Sequence, residues 1–252
     1  MGLAGKVALV TGASRRIGAA VAVALGRRGA AVVVNYLERR ELAEGVAAGV
    51  EAAGGRALVH RADVRDREAV RAMVERAVAT FGGLDIPINN ARLIHPIHPF
   101  LELEWDRDMR SQLEIHLAGA FHCCQAAIPH MMRRGGGAIV NMLSTALREA
   151  SPRHHAYGPA KAALRSLTMN LAVEMGPHGI RVNSVSPSTT ETSEFPTRRT
   201  AEERERLRQE VPLGRIATPD EVAGAVVFLC TDAARYITGA DLMVSGGGLI
   251  AL

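Results

Sequence analysis

Apolar positions along this chain follow two alternating rhythms. Short runs rich in β-branched residues predict seven strands: KVALV (6–10), AAVVVN (30–35), RALVHRADV (56–64), LDIPIN (84–89), GAIVNML (137–143), IRVNSVS (180–186) and ADLMV (240–244). Between them lie longer stretches of helical periodicity. These are 15–29, closing on Gly29 as a C′ residue; about 39–53; 67–81, capped by Asp66; about 106–133; and 157–175. A further helix starts at TPDE (218–221), with Thr218 as N-cap, Pro219 in the first turn and Glu221 closing a capping box. Pro87 is awkward for a central strand, because it has no N–H to give. Strand–helix alternation of this kind predicts an α/β fold, a doubly wound parallel sheet with helices on both faces. Ligands of such sheets bind beyond the carboxyl ends of the strands.

Composition narrows the picture. The 252 residues, 48% hydrophobic, suffice for one core, and the whole of 1–252 reads as one domain. The formal charge of +4 is spread among acids, as in PTRRTAEERERLRQE (196–210), a solvated helix face. Aromatics are only 4%, so no basic-aromatic platform for single-stranded nucleic acid is expected. Cys123, Cys124 and Cys230 make neither a C-x-x-C pair nor an even disulfide framework. The start, MGLAGKVALV, is too short an apolar run for a signal peptide or a membrane span, and a cytoplasmic setting is expected. His95 and His98 in RLIHPIHP, and His154 and His155, have no third ligand placed by spacing, so no metal is expected.

The chain contains only two lysines, Lys6 and Lys161, against 28 arginines. A lysine kept at 161, in YGPAK (157–161), points to a need for a compact ammonium rather than a planar, permanently charged fork. Near the N-terminus, TGASRRIG (11–18) links the first strand to the first helix. Gly12 permits a tight turn, Gly18 lets the helix approach the sheet, and the helix N-terminus offers N–H groups and a positive dipole to a pyrophosphate.

These motifs occur in order with ADV (62–64), NNA (89–91), Ser144, IRVNSVSP (180–187), PLGRIATPDEVA (212–223) and TGADLMVSGG (238–247). Together they resemble the short-chain dehydrogenase/reductase family, in particular its 3-oxoacyl-carrier-protein-reductase-like members, over about residues 3–247. The resemblance implies a Rossmann-type fold, a nicotinamide cofactor, a homotetramer paired through helices 106–133 and 157–175, and a small carbonyl or alcohol substrate. It implies that Tyr157 is the proton donor, that Ser144 stabilises negative charge on the carbonyl oxygen, and that Lys161 bonds the ribose and lowers the tyrosine pKa. His116 of HLAGAF stands where the family carries an asparagine that holds a water in a proton relay; imidazole can itself relay a proton.

For the cofactor, the resemblance implies contacts from Gly12, Ser14, Arg15, Arg16, Ile17 and Gly18 of the turn. Asp63 would bond the adenine amino group, with Val64 beside it, and Asn90 would lie by the nicotinamide ribose. Tyr157, Lys161, Pro187, Thr190 and Thr192 complete the set. NAD-binding members carry an acid at the end of the second strand for the ribose 2′-OH; here Asn35 takes that position, with Glu38 three residues on. Together with the cations Arg15 and Arg16, this favours NADP(H). The chain departs from the family at Arg16, Arg92, Leu147 and Ser188, where glycine is usual, and at Ser245, where an acid is usual. The reading is an NADPH-dependent ketone or 3-oxoacyl reductase. The alternatives are oxidation of an alcohol by the same chemistry, or a cofactor-binding protein with weak catalysis.

Overall fold

A computed structural model describes residues 2–94, 98–148, 154–192 and 200–248. Seven parallel strands form one sheet in the order β3-β2-β1-β4-β5-β6-β7. They are β1 (Val7–Val10), β2 (Ala31–Tyr36), β3 (Arg56–Arg61), β4 (Ile86–Asn89), β5 (Gly137–Met142), β6 (Ile180–Pro187) and β7 (Asp241–Val244). The helices are α1 (Arg16–Gly26), α2 (Arg40–Ala52), α3 (Arg67–Phe81), the single turn α4 (Ser111–Leu113), α5 (Gly119–Arg133), α6 (Tyr157–Met175), α7 (Ala201–Gln209) and α8 (Pro219–Cys230).

The central strands are apolar throughout because both faces are covered. In β1, Ala8 and Val10 pack into a core shared with Val21 and Leu25 of α1, Val50 of α2 and Val226 of α8. Val7 and Leu9 point the other way, into a core shared with Met73 of α3, Cys123 and Ala127 of α5 and Ala172 of α6. All three cysteines are buried free thiols.

Pro87 does occupy a central strand, opposite Leu9 of β1. The cost falls on the other side. The β4–β5 ladder registers only at Ile88↔Val140 and Asn89↔Asn141, and Ala138 N–H donates instead to Asp85 C=O, 3.0 Å away. Asp85 also anchors the base of the sheet: its carboxylate accepts from Val7 N–H at 2.8 Å and from Arg134 Nε at 2.9 Å. Lys6 lies 3.6 Å from the same carboxylate, so one of the two lysines serves a structural ion pair.

Two helix starts behave as their sequences require. Asp66 accepts from Glu68 and Ala69 N–H, and Thr218 and Glu221 close a capping box. Two boundaries differ. The stretch expected as a helix over 15–29 ends at Gly26, and the chain then turns through Gly29, whose φ is 85°. The long helix expected over 106–133 is broken by wide-turn π segments at Trp105–Arg110 and Glu114–Ala118. No described helix is long and apolar enough to cross a membrane.

Candidate active site

The turn after β1 is held from three sides. Thr11 Oγ1 accepts from Asn90 N–H at 2.9 Å and Ala91 N–H at 3.0 Å, tying the ends of β1 and β4. Asn90 Nδ2 donates to the carbonyls of Thr11 and Gly12, at 2.9 and 3.2 Å. A side chain at Gly18 would begin 2.5 Å from that amide and from Gly12 C=O, so α1 reaches the sheet only because residue 18 has no Cβ. Arg16 stands where the family has glycine and takes φ 56°, the one described non-glycine residue with positive φ. That conformation costs an L-residue roughly 1–2 kcal/mol.

Asn35 does not line the cleft beyond the glycine turn, which corrects the cofactor contact expected from sequence. It is 2% exposed; its Oδ1 accepts from Gly12 N–H at 3.0 Å and its Nδ2 donates to Ala62 C=O at 3.0 Å. Asn35 braces the turn from behind, and the residues that line the cleft at the end of β2 are Tyr36, Leu37, Glu38 and Arg39. The cleft encloses about 350 Å³ and is also walled by Gly12, Ser14, Arg15, Arg16, Ile17, Gly18, Arg65, Asn90, Arg92, Ile115 and Thr192. Arg39 and Arg65 were missed in the sequence. Pro187 closes β6 opposite Val244, and Thr190 bridges to Ala217; neither is among the residues that line the cleft. Asp63 is engaged by Arg65, with Oδ2 2.6 Å from Nη2, and this bond holds its carboxyl below the usual range.

Ser144 lies just past β5 and caps the short turn Thr145–Leu147, accepting from Ala146 N–H at 3.2 Å. Tyr157 opens α6 and hydrogen-bonds to the Ser144 side chain. Lys161, one helical turn on, is buried and donates to Met142 C=O at 2.6 Å; its Nζ lies 5.6 Å from the Tyr157 ring centre. A buried polar chain sets the height of α6 on the sheet. Asn89 Nδ2 donates to Asn141 Oδ1 at 2.7 Å, Asn141 Nδ2 to Thr168 Oγ1 at 2.8 Å, and Thr168 Oγ1 to Leu164 C=O at 2.8 Å.

His116 falls in the second π segment, a feature frequent at functional sites. Its Nε2 lies 3.2 Å from Gln112 Oε1, and its ring meets Tyr157 edge-on, centroids 5.3 Å apart. His154 approaches the same tyrosine at 6.3 Å. With Thr11, Asn89, Ile115 and Lys161, His116 lines a cavity of about 10 Å³, room for one water. The structure thus brings together Ser144, Tyr157, Lys161 and His116. His95 lies outside the described residues. Among those described, no three histidine, cysteine or acidic side chains are grouped to hold a metal.

Lys161, together with the positive nicotinamide of an oxidised cofactor, is expected to draw the Tyr157 pKa down. In the protein alone burial dominates and pushes it up, against the opposing pull of Arg92 and the Ser144 hydrogen bond. Lys161 itself is pushed down to about 7, first by burial and then by the Arg92 guanidinium. The reason for lysine here is therefore more than donor geometry. A lysine can lose its proton near neutral pH, whereas an arginine cannot.

Comparison with known proteins agrees with this arrangement. A family model described as enoyl-(acyl carrier protein) reductase matches residues 12–248. The chain is 40% identical to L-rhamnose 1-dehydrogenase (NAD(P)(+)) of Sphingomonas sp. (strain SKA58), over 97% of this chain and 96% of that protein. It is 41% identical to cis-4-hydroxycyclohexanecarboxylate dehydrogenase of Sinomonas cyclohexanicum, over 96% of each. Among solved structures, a 7α-hydroxysteroid dehydrogenase complexed with NADH and 7-oxo glycochenodeoxycholic acid superposes with a TM-score of 0.93 at 32% identity, covering 98% of this chain and 96% of that one.

Proposed function

This chain belongs to the short-chain dehydrogenase/reductase family of oxidoreductases, and on that premise we propose that it is an NADP(H)-dependent carbonyl reductase with Tyr157 as proton donor. The observation that carries the reading is the junction of Ser144, Tyr157 and Lys161, beside a small cavity that shares Ile115 with the cleft beginning at the glycine turn. The cleft's residues suit a dinucleotide. The N–H groups opening α1, with Ser14 and Ile17, would hold its phosphates, and Arg15, Arg16, Arg39 and Arg65 of the cleft wall would hold the adenosine part. The bound nicotinamide would supply hydride to a ketone.

The remaining steps belong to the protein. The Ser144 hydroxyl donates to the carbonyl oxygen as charge develops there. Tyr157 gives its proton to that oxygen and recovers one through Lys161, whose pKa of about 7 suits such a relay. Water in the cavity beside His116 and Lys161 would continue the path. Run backward, the same groups would oxidise an alcohol, the direction for which the two dehydrogenase relatives are named. A panel of ketones and alcohols followed by nicotinamide absorbance tests the reading; no turnover with either cofactor would sink it.

Preference for NADP(H) rests on the arginines. One charge-assisted bond to a 2′-phosphate is worth about 1.5–3 kcal/mol, or roughly ten- to a hundredfold tighter binding of NADPH than of NADH. Arg16→Gly should erode that preference and at the same time relieve the positive φ at Arg16, raising stability by about 1 kcal/mol. Equal affinity of the wild type for both cofactors in a fluorescence titration would reject the assignment.

A homotetramer paired through α5 and α6 completes the reading. Phe121 of α5 and Met169 and Val173 of α6 are 46%, 46% and 81% exposed, large apolar side chains that a pairing of these helices would cover. Light scattering at micromolar concentration should give about four times the chain mass of 26.8 kDa. A monomer would refute the pairing.

A further inference from the structure

Arg92 follows a rigid stretch of backbone. The N–H groups of Asn90 and Ala91 are both held by Thr11 Oγ1, and Ala91 Cα lies 2.9 Å from where a Cβ on Gly12 would stand. The next residue is therefore launched from a fixed point at the rim of the sheet. It is exposed and walls the cleft together with Leu93, Ile94 and Ile115. Ile115 also lines the small cavity that holds Lys161 and His116, so Arg92 stands where the cofactor cleft meets the proton-transfer groups. Its charge is felt by both Tyr157 and Lys161.

Placing a guanidinium there raises the energy of a second, buried cation. Among the described residues lining the cleft, the one acid is Glu38, beside Arg39 at the adenosine end. The cofactor phosphates already have the α1 N-terminus and its neighbouring arginines. Arg92 thus sets a guanidinium beside Leu93, Ile94 and Ile115 on the part of the cleft nearest the proton-transfer groups, which suits an anion on an apolar body. The arginine fork matches a carboxylate in a bidentate manner.

We propose that Arg92 anchors a carboxylate of the substrate, so that the enzyme selects hydroxy- and oxo-acids with an apolar body over neutral alcohols and ketones. This rests on the reading of the site as a carbonyl–alcohol oxidoreductase, and the test separates the two. Cyclohexanecarboxylate and cyclohexanecarboxamide, alike in shape but not in charge, are titrated by calorimetry against the protein saturated with NADPH. The acid should bind about ten- to a hundredfold more tightly than the amide. Arg92→Leu should remove that advantage, and Arg92→Lys, which keeps the charge without the fork, should keep part of it. In kinetics, the ratio of kcat/KM for 3-hydroxybutyrate to that for its methyl ester should fall at least about tenfold in Arg92→Leu.

Equal binding of acid and amide by the wild type would overturn the proposal and leave the oxidoreductase reading intact. So would an Arg92→Leu variant whose affinity for NADPH falls as much as its affinity for the acid, since Arg92 would then serve the cofactor. Failure of the wild type to bind NADPH or NADH at all would remove the premise as well.

Discussion

Tyr157→Phe is expected to lower kcat at least about a hundredfold while NADPH binding stays within a few-fold of wild type. The ring fills the same space at the start of α6, and its edge-on contact with His116 survives. Only the hydroxyl goes, and with it the group proposed to give a proton to the carbonyl oxygen. General acid catalysis of this type contributes about 10²–10⁴-fold. The measurement is single-turnover and steady-state kinetics on a substrate found in the panel, with cofactor affinity by fluorescence. A variant with kcat near wild type would show that the proton comes from elsewhere, with His116 and His154, the two imidazoles beside the ring, the next groups to replace.

Lys161→Met should make the protein more stable and at the same time abolish most of its activity. Burial, with Arg92, moves the lysine pKa from 10.5 to about 7, which corresponds to a penalty on the order of 4–5 kcal/mol for holding the charged form in the folded state. The hydrogen bond to Met142 C=O returns roughly 1–2 kcal/mol of that to the wild type, so the net gain of the variant is on the order of 2–4 kcal/mol.

The sign with pH follows from proton counting. Below about pH 7 both folded and unfolded wild type hold the Lys161 proton, and the penalty is complete. Between about 7 and 10.5 the unfolded chain holds the proton and the folded chain does not, so wild-type stability rises with pH. The advantage of Lys161→Met should therefore be largest at pH 6.5 and shrink by pH 9.5, as read from urea midpoints of both proteins. A variant less stable than wild type at pH 6.5, or an advantage that grows toward pH 9.5, would contradict this account of the buried lysine. On the proposed mechanism the same trade accounts for the lysine: a stabilising methionine or leucine at this point would end the proton path.

Much of this protein was legible in its residues alone. The seven runs of β-branched residues, the turn residues between them and the capping signals at Asp66 and Thr218 specify an alternating parallel fold by local chemistry, and the sheet has that order of elements. Helical spacing by itself puts Tyr157 and Lys161 on one face, so that pairing needed no tertiary structure. Pattern reading failed at the end of β2. AVVVNY is buried at every position, so no in–out alternation marks which residue faces the cleft; Asn35 turned inward to brace Gly12, and Tyr36 took the cleft side. It failed again at the long helix, where π segments around His116 depend on packing that spacing cannot express.

Tertiary structure alone decided the charges. That Lys161 titrates near neutrality is a property of its burial and of Arg92, which lies 69 positions away in sequence. That Arg39 and Arg65 join Arg15 and Arg16 around one end of the cleft depends on three separate strand ends meeting at one rim. Local residue preferences could set the elements because each acts over a few neighbours. The electrostatic field of the site sums groups brought together only by the completed sheet.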